Sequence, residues 1–165
     1  MKTFKEFSKI NENINFTNES KSGLKGVIEY KDGLTEEIVK EKYSWLSDAK
    51  IKNAVIGEDK NGLVWYNGNW KSGTWENGTW KSGTWEDGNW KSGTWENGTW
   101  QDGEWDSGCW YDGTWQDGEW NTGSWYDGTW QDGYWEDGVW EDGIWKNGTW
   151  ENGVWKNGTR VGGNF

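Results

Sequence analysis

From Trp65 to Trp155 an indole falls at every fifth position without a slip, and Gly stands two places before each one from Trp70 onward. The positions between are polar, and the unit reads G-x-W-x-[N/D/S], as in "GTWEN" and "GTWKS". A flat strand alternates its side chains with period two, so a step of five would throw successive indoles onto opposite faces. On an α-helix five residues turn the chain by roughly 500°, which would spiral the indoles around the axis. Gly in every unit would weaken such a helix by about 1 kcal/mol each time. A chain that bends once per unit fits instead. Asn-Gly, Asp-Gly and Ser-Gly pairs recur where each bend falls, and Asn, Asp and Gly tolerate the positive φ of tight turns. With each short side pointing its indole inward, the chain winds into an all-β solenoid whose coils stack about 4.8 Å apart.

Residues 1–60 follow other periods. Thr3 and Glu6 form a capping box before Phe4, Phe7 and Ile10, which share one face of a short helix opposite Lys2, Lys5 and Lys9. Residues 11–24 are polar and irregular. "GVIEYKDG" predicts a strand and turn. "LTEEIVKEKYSWLSD" predicts one helix, with Thr35 as N-cap and Ile38, Val39, Tyr43, Trp45 and Leu46 buried. "IKNAVIG" reads as the first strand of the coil, because Val55 shares the Trp phase. The expected organisation is a leader at 1–12, a small α/β cap at 13–60 over the open end of the solenoid, and the solenoid at 61–165.

The pentads resemble the pentapeptide-repeat proteins, which form a right-handed, four-sided β-helix from a small inward residue, a polar outward one and an inward Leu or Phe. Here Gly takes the small position and Trp the central one, over residues 63–165. The resemblance implies four sides. A second pattern implies three: "QDGEWDSGCWYDGTW" at 101–115 is followed by "QDGEWNTGSWYDGTW" at 116–130. A three-sided coil of fifteen residues would stack Gln101, Gln116 and Gln131, set Tyr111 on Tyr126, and align Thr84, Thr99, Thr114 and Thr129. A four-sided coil stacks Lys71 on Lys91 and Glu76 on Glu96, which costs a few tenths of a kcal/mol. Against the triangle stands its smaller enclosed area per indole, since interiors are not cheaply overpacked. The four-sided coil is preferred, with the three-sided one as the alternative.

The expected core is Trp70, Trp75, Trp80, Trp85, Trp90, Trp95, Trp100, Trp105, Trp110, Trp115, Trp120, Trp125, Trp130, Trp135, Trp140, Trp145, Trp150 and Trp155. Each buried indole N–H needs an acceptor from coil carbonyls or the corner Asn and Asp side chains. Outward indoles would instead form an aromatic sheet able to stack on sugars or another subunit. Arg160 stands where the next Trp would fall and Phe165 resumes the phase, which reads as a terminal cap.

Composition narrows the function. The chain has 20 Trp and 26 Gly, one Cys, no Pro and no His, with a formal charge of -11. No nucleophile sits beside a base and no metal-ligand cluster or calcium-loop signature is present, so neither an enzyme nor a cofactor is expected. No apolar run reaches the length of a membrane span. Residues 1–60 are balanced in charge, and the whole deficit lies in the repeat. Between Gln101 and Ile144 there is no Lys or Arg, only Asp102, Glu104, Asp106, Asp112, Asp117, Glu119, Asp127, Asp132, Glu136, Asp137, Glu141 and Asp142. Such a surface repels nucleic acid.

The N-terminal "MKTFKEFSKINE" resembles the start of proteins packaged inside the prohead of T-even-type tailed phages. In that family a basic amphipathic leader targets the scaffold, and the prohead protease cuts after a Leu-or-Ile, any residue, Glu triplet. Ile10-Asn11-Glu12 fits, making Asn13 the mature N-terminus; Leu34-Thr35-Glu36 also fits but falls in a predicted helix. The resemblance implies a non-enzymatic internal head protein of the phage virion, with the prohead scaffold and protease as partners, carried to the host cytoplasm with the genome. Some pentapeptide-repeat proteins imitate the charge and width of duplex DNA and block enzymes such as gyrase, so a host DNA-binding protein is the implied target. The alternatives are a structural virion component, such as a capsid decoration or spacer, and a glycan-binding solenoid with exposed indoles. Ice binding through Thr columns is disfavoured by Glu104, Glu119, Tyr134, Val139 and Ile144 in the corresponding slots.

Overall fold

A computed structural model describes residues 28–165. The leader with Ile10, Asn11 and Glu12, the short helix expected around them and the irregular segment at 11–24 lie outside the described residues.

The cap comes first. Strand β1 (Ile28–Tyr30) runs into a turn where Asp32 and Gly33 take φ of 57° and 79°. Helix α1 (Glu36–Lys42) follows, and the Thr35 hydroxyl accepts a hydrogen bond from the Ile38 N–H at 3.3 Å. Glu36 and Glu37 in its first turn and Lys40 and Lys42 in its last complement the helix dipole. The helix is shorter than the sequence suggests. It ends at Tyr43 (φ -123°, ψ 48°) and tightens into a 3₁₀ turn, Ser44–Asp48. Residues two apart do not share a helical face, so a continuous helix could not point Tyr43 and Trp45 inward together. The tighter turn buries Tyr43 and Leu46 and seats Trp45 on the first indoles. Ile38, expected in the core, is 37% exposed, because α1 covers the cap with Val39 alone.

Strand β2 (Lys50–Asp59) is not the first coil strand. It runs antiparallel to β3 (Gly62–Ser72), with Ile51 opposite Trp70 and Ile56 opposite Trp65. The reversal at "EDKNG" sets the direction: the Asn61 N–H donates to the Asp59 carboxylate at 2.7 Å, and Gly62 has φ of 120°. Val55 shares the Trp phase only by coincidence. The buried residues of β2 are Ile51, Ala54, Ile56 and Gly57. Strand β1 pairs in parallel with the outer edge of β2, so the cap covers the first coil as a small sheet with one helix.

Two cap phenols carry a pH signature. Burial, with the charges of Glu36 and Glu37 behind it, raises Tyr30 from 10.0 to about 12. Burial, the hydrogen bond to Glu58 and the nearby charges raise Tyr43 to about 12 as well. Each holds its proton more tightly folded than unfolded, so this stabilisation is complete below pH 10 and is lost as the pH rises through about 12. Alkaline titration should therefore loosen the cap in that window, read as late tyrosinate absorbance coinciding with loss of α1 helicity.

Beyond the cap the chain is an all-β solenoid, and the coil has fifteen residues. Trp65 pairs in parallel with Trp80, Trp80 with Trp95, and so on to Trp140 with Trp155. A second face carries Trp70, Trp85, Trp100, Trp115, Trp130 and Trp145. The third carries Trp75, Trp90, Trp105, Trp120, Trp135 and Trp150. Each rung is only two extended residues, such as Thr114–Trp115, and two backbone bonds tie it to the coil before: Thr114 N–H to Gly98 O at 2.9 Å and Gln116 N–H to Trp100 O at 2.8 Å.

The preference for four sides is thereby corrected. Only two residues of each pentad are extended, and the other three round the corner. Three indoles fill the triangle because neighbours within a coil meet edge to face, as Trp100 and Trp105 do at 5.9 Å and 72°. Each also stacks on its counterpart in the next coil, as Trp105 does on Trp120 at 4.7 Å and 6°. Such pairs contribute about 0.5–1.5 kcal/mol each beyond area burial. Every indole from Trp65 to Trp145 has 0% exposure, Trp150 has 9%, and Trp155 is half-buried. The pitch also turns like-charge stacks into pairs: Lys71 meets Glu86 at 3.2 Å, Lys81 meets Glu96 at 2.9 Å and Lys91 meets Asp106 at 2.7 Å.

The acceptors expected for the indole N–H groups are mostly absent. Trp90 and Trp135 donate to the carbonyls of Ser107 and Asn152 at 3.2 and 3.1 Å. Fifteen others, including Trp75, Trp105 and Trp120, are buried without a hydrogen-bond partner. Arg160 stands in register on Trp145, its guanidinium 3.2 Å over the Phe165 ring, and Phe165 stacks on Trp150 at 5°.

Candidate interaction surface

The acidic residues sit at two kinds of position. Seven of them (Asp102, Asp112, Asp117, Asp127, Asp132, Asp137 and Asp142) precede a corner Gly and accept its N–H at 2.6–2.8 Å. Asn67, Asn77 and Asn97 make the same bond, so the turn requires the side-chain oxygen and not the charge. The second oxygens of Asp132 and Asp142 accept from Asn147 and Asn157, one coil on, at 2.9 Å.

Of the remaining acids, Glu104 and Glu119 open rungs, and Asp106, Glu136 and Glu141 directly follow the Trp of a rung. Asp106 accepts from Lys91, which holds the lysine's pKa above its ordinary value, and Asn121 donates to both Glu104 and Asp106 at 3.1 and 3.2 Å. Glu141 pairs with Lys156 at 2.8 Å. Glu119 and Glu136 are exposed.

At one corner the two kinds converge. Asp102 and Asp117 precede the glycines of this corner, and Glu104 and Glu119 open the rungs that follow it. With Asn89 and Tyr134 they line an open groove of about 500 Å³. Glu104 stacks directly on Glu119 in the parallel register. Like charges opposed across a ladder destabilise it, and no turn geometry requires either glutamate. A shell serving only solubility would intersperse both signs.

The sequence identified the carboxylates but not this grouping. It missed Asn89, Asn121 and Tyr134, whose signal is the fifteen-residue spacing from Glu104, Asp106 and Glu119. The second cleavage triplet is tied into the cap, since Leu34 is 5% exposed and Glu36 opens α1. Among the described residues no group of three or more His, Cys, Asp and Glu side chains is arranged to hold a metal ion, and no helix is long and apolar enough to cross a membrane. No row of indoles faces solvent among them, and the exposed aromatic stack is the Tyr111–Tyr126 pair at 4.8 Å. No protein-family model matches the chain, and neither a curated protein nor a solved structure matches it.

Because Asn satisfies the corner bond, Asp102→Asn, Asp112→Asn, Asp117→Asn and Asp127→Asn together should leave the coil intact. Melting at low salt should occur at the same temperature or higher than in the parent, and the difference should shrink as salt screens the carboxylates.

Proposed function

We propose that the solenoid is a non-enzymatic binder that presents a stiff acidic surface to a basic partner, with a DNA-binding protein as the partner class. The supporting observation is the charge density of 101–145. Twelve carboxylates fall on three coils with no Lys or Arg among them. At a rise of about 4.8 Å per coil this is one negative charge per roughly 1.2 Å, against about 1.7 Å along duplex DNA. The stacked interior holds these charges in fixed register, which favours steered association with a cationic groove.

The test is to mix the protein with gyrase and other host DNA-binding proteins at low salt. Binding that weakens with salt, and is lost in the four-fold Asp→Asn variant while the circular dichroism is unchanged, supports the reading. No binding at low salt removes it.

The delivery route is a separate part of the proposal and rests on the resemblance of residues 1–12 to prohead-packaged phage proteins. It places the chain in the capsid interior and then in the host cytoplasm. Mass spectrometry of particles should then find a chain beginning at Asn13. It should find no species cut after Glu36, because that bond lies in the first turn of a capped helix.

A further inference from the structure

We infer that the stacked indoles conduct oxidising equivalents along the solenoid to Tyr43 in the cap, where Glu58 takes the phenolic proton. The path is continuous on one face. From Trp150 through Trp135, Trp120, Trp105 and Trp90 to Trp75, successive ring centroids lie 4.7–5.1 Å apart with planes within 5–7° of parallel. Trp75 meets Trp45 edge to face at 5.2 Å, and Trp45 meets Tyr43 at 6.4 Å. The other two columns join this one through edge contacts such as Trp100 to Trp105 at 5.9 Å.

Three features suit the array to moving a hole rather than trapping it. Indole and phenol are the most readily oxidised neutral side chains of a protein, and the near-identical environments of the stacked rings leave little difference in energy between neighbours. An oxidised indole is normally trapped when its ring N–H loses the proton to a base. Here fifteen of these N–H groups are buried and unpartnered, and the two paired ones face only carbonyls. The hole therefore remains a radical cation and passes on. The carboxylates of the outer surface offset part of its charge.

Tyr43 is built as the terminus. Its ring is 7% exposed, and its hydroxyl donates to Glu58 at 2.9 Å. Glu58 is also held by Lys42, and these bonds keep its carboxyl below the ordinary range, so it stands ionised and ready to accept. An external one-electron oxidant takes an electron from an indole and leaves a radical cation. Each indole then takes an electron from its neighbour. Trp45 finally takes one from Tyr43, which becomes a neutral phenoxyl radical as its proton moves to Glu58. Tyr66 serves as the internal comparison: it donates to Asp32 at 2.8 Å, and among the described residues no ring contact joins it to an indole.

Cys109 is the sole thiol, next to Trp110 and midway along the solenoid, so it accepts a thiol-reactive ruthenium polypyridyl photo-oxidant. The experiment uses the full chain with Tyr111→Phe and Tyr126→Phe, which removes the phenols beside the label. After flash-quench oxidation, an indole radical cation should decay into a phenoxyl radical at a rate independent of protein concentration. Phenoxyl yield should fall several-fold with Tyr43→Phe and with Trp45→Phe, which keeps a ring in place while breaking the chain of oxidisable groups. It should persist with Tyr66→Phe. Glu58→Gln, retaining an acceptor but not the base, should slow its appearance. A hole confined to the labelled region, or a phenoxyl yield unchanged by Tyr43→Phe or Trp45→Phe, overturns the proposal.

Discussion

Replacing Trp105 by Ala is expected to lower the unfolding free energy by about 4–5 kcal/mol, the top of the range for deleting a buried aromatic ring. The ring is fully buried. It stacks on Trp90 and Trp120 at 4.8 and 4.7 Å and meets Trp100 and Trp110 edge-on at 5.9 and 6.0 Å. The interior is a triangle closed by backbone on all sides, so neighbours cannot move in to fill the gap. A solenoid is also held together by nearest-neighbour contacts, and one hole uncouples the coils on either side. Denaturant unfolding of Trp105→Ala should therefore shift to lower midpoint and lose cooperativity. Trp105→Phe keeps a ring in the column and should cost less. A loss below about 1 kcal/mol for the alanine variant would mean that the column is not the source of stability.

Gly113→Ala is the second large effect, expected to cost about 2–5 kcal/mol from backbone strain and overpacking together. Gly113 has φ of 120°, where a side chain is strained, and a Cβ there would sit 2.4 Å from the carbonyl of Gly98 in the coil before. That carbonyl accepts the Thr114 N–H, so it cannot swing away without breaking a rung. Gly113→Ala should unfold earlier in denaturant by this amount, whereas Thr114→Ala on the same rung should be nearly neutral. Equal effects from the two would contradict the close approach of corner to corner.

Much of the fold was legible from one spacing. A five-residue Trp period matches neither strand nor helix, and Asx-Gly pairs supply the bends, so inward indoles on a wound ribbon follow from the pattern alone. The number of sides was legible too, in the charges. Lys71 and Glu86, Lys81 and Glu96, Lys91 and Asp106, and Glu141 and Lys156 are all opposite in sign and fifteen apart. How little of each pentad is extended, two residues in five, is not displayed by the spacing. The cap was harder. Val55 fell in the Trp phase by chance, and Asn61-Gly62, the local signal that sends β2 and β3 antiparallel, looks like one more of the Asx-Gly corners that follow it. Tyr43 and Trp45, two apart, demanded a 3₁₀ turn that helical periodicity does not display. The candidate site was visible as a run of acids, but the sequence cannot tell an aspartate that serves its own corner from a glutamate stacked on another glutamate.

The pitch of the coil underlies the columns, the charge pairs and the acidic groove alike, and Cys109 tests it directly. It stands opposite Ser124 in the parallel register, on the same face and one coil apart, at a spacing of about 4.8 Å, within the range that a disulfide spans. Under mild oxidation Ser124→Cys should form an intramolecular disulfide with Cys109, and Thr129→Cys, twenty residues on, should not. The reverse outcome, a bond from position 129 and none from 124, would contradict the three-sided coil.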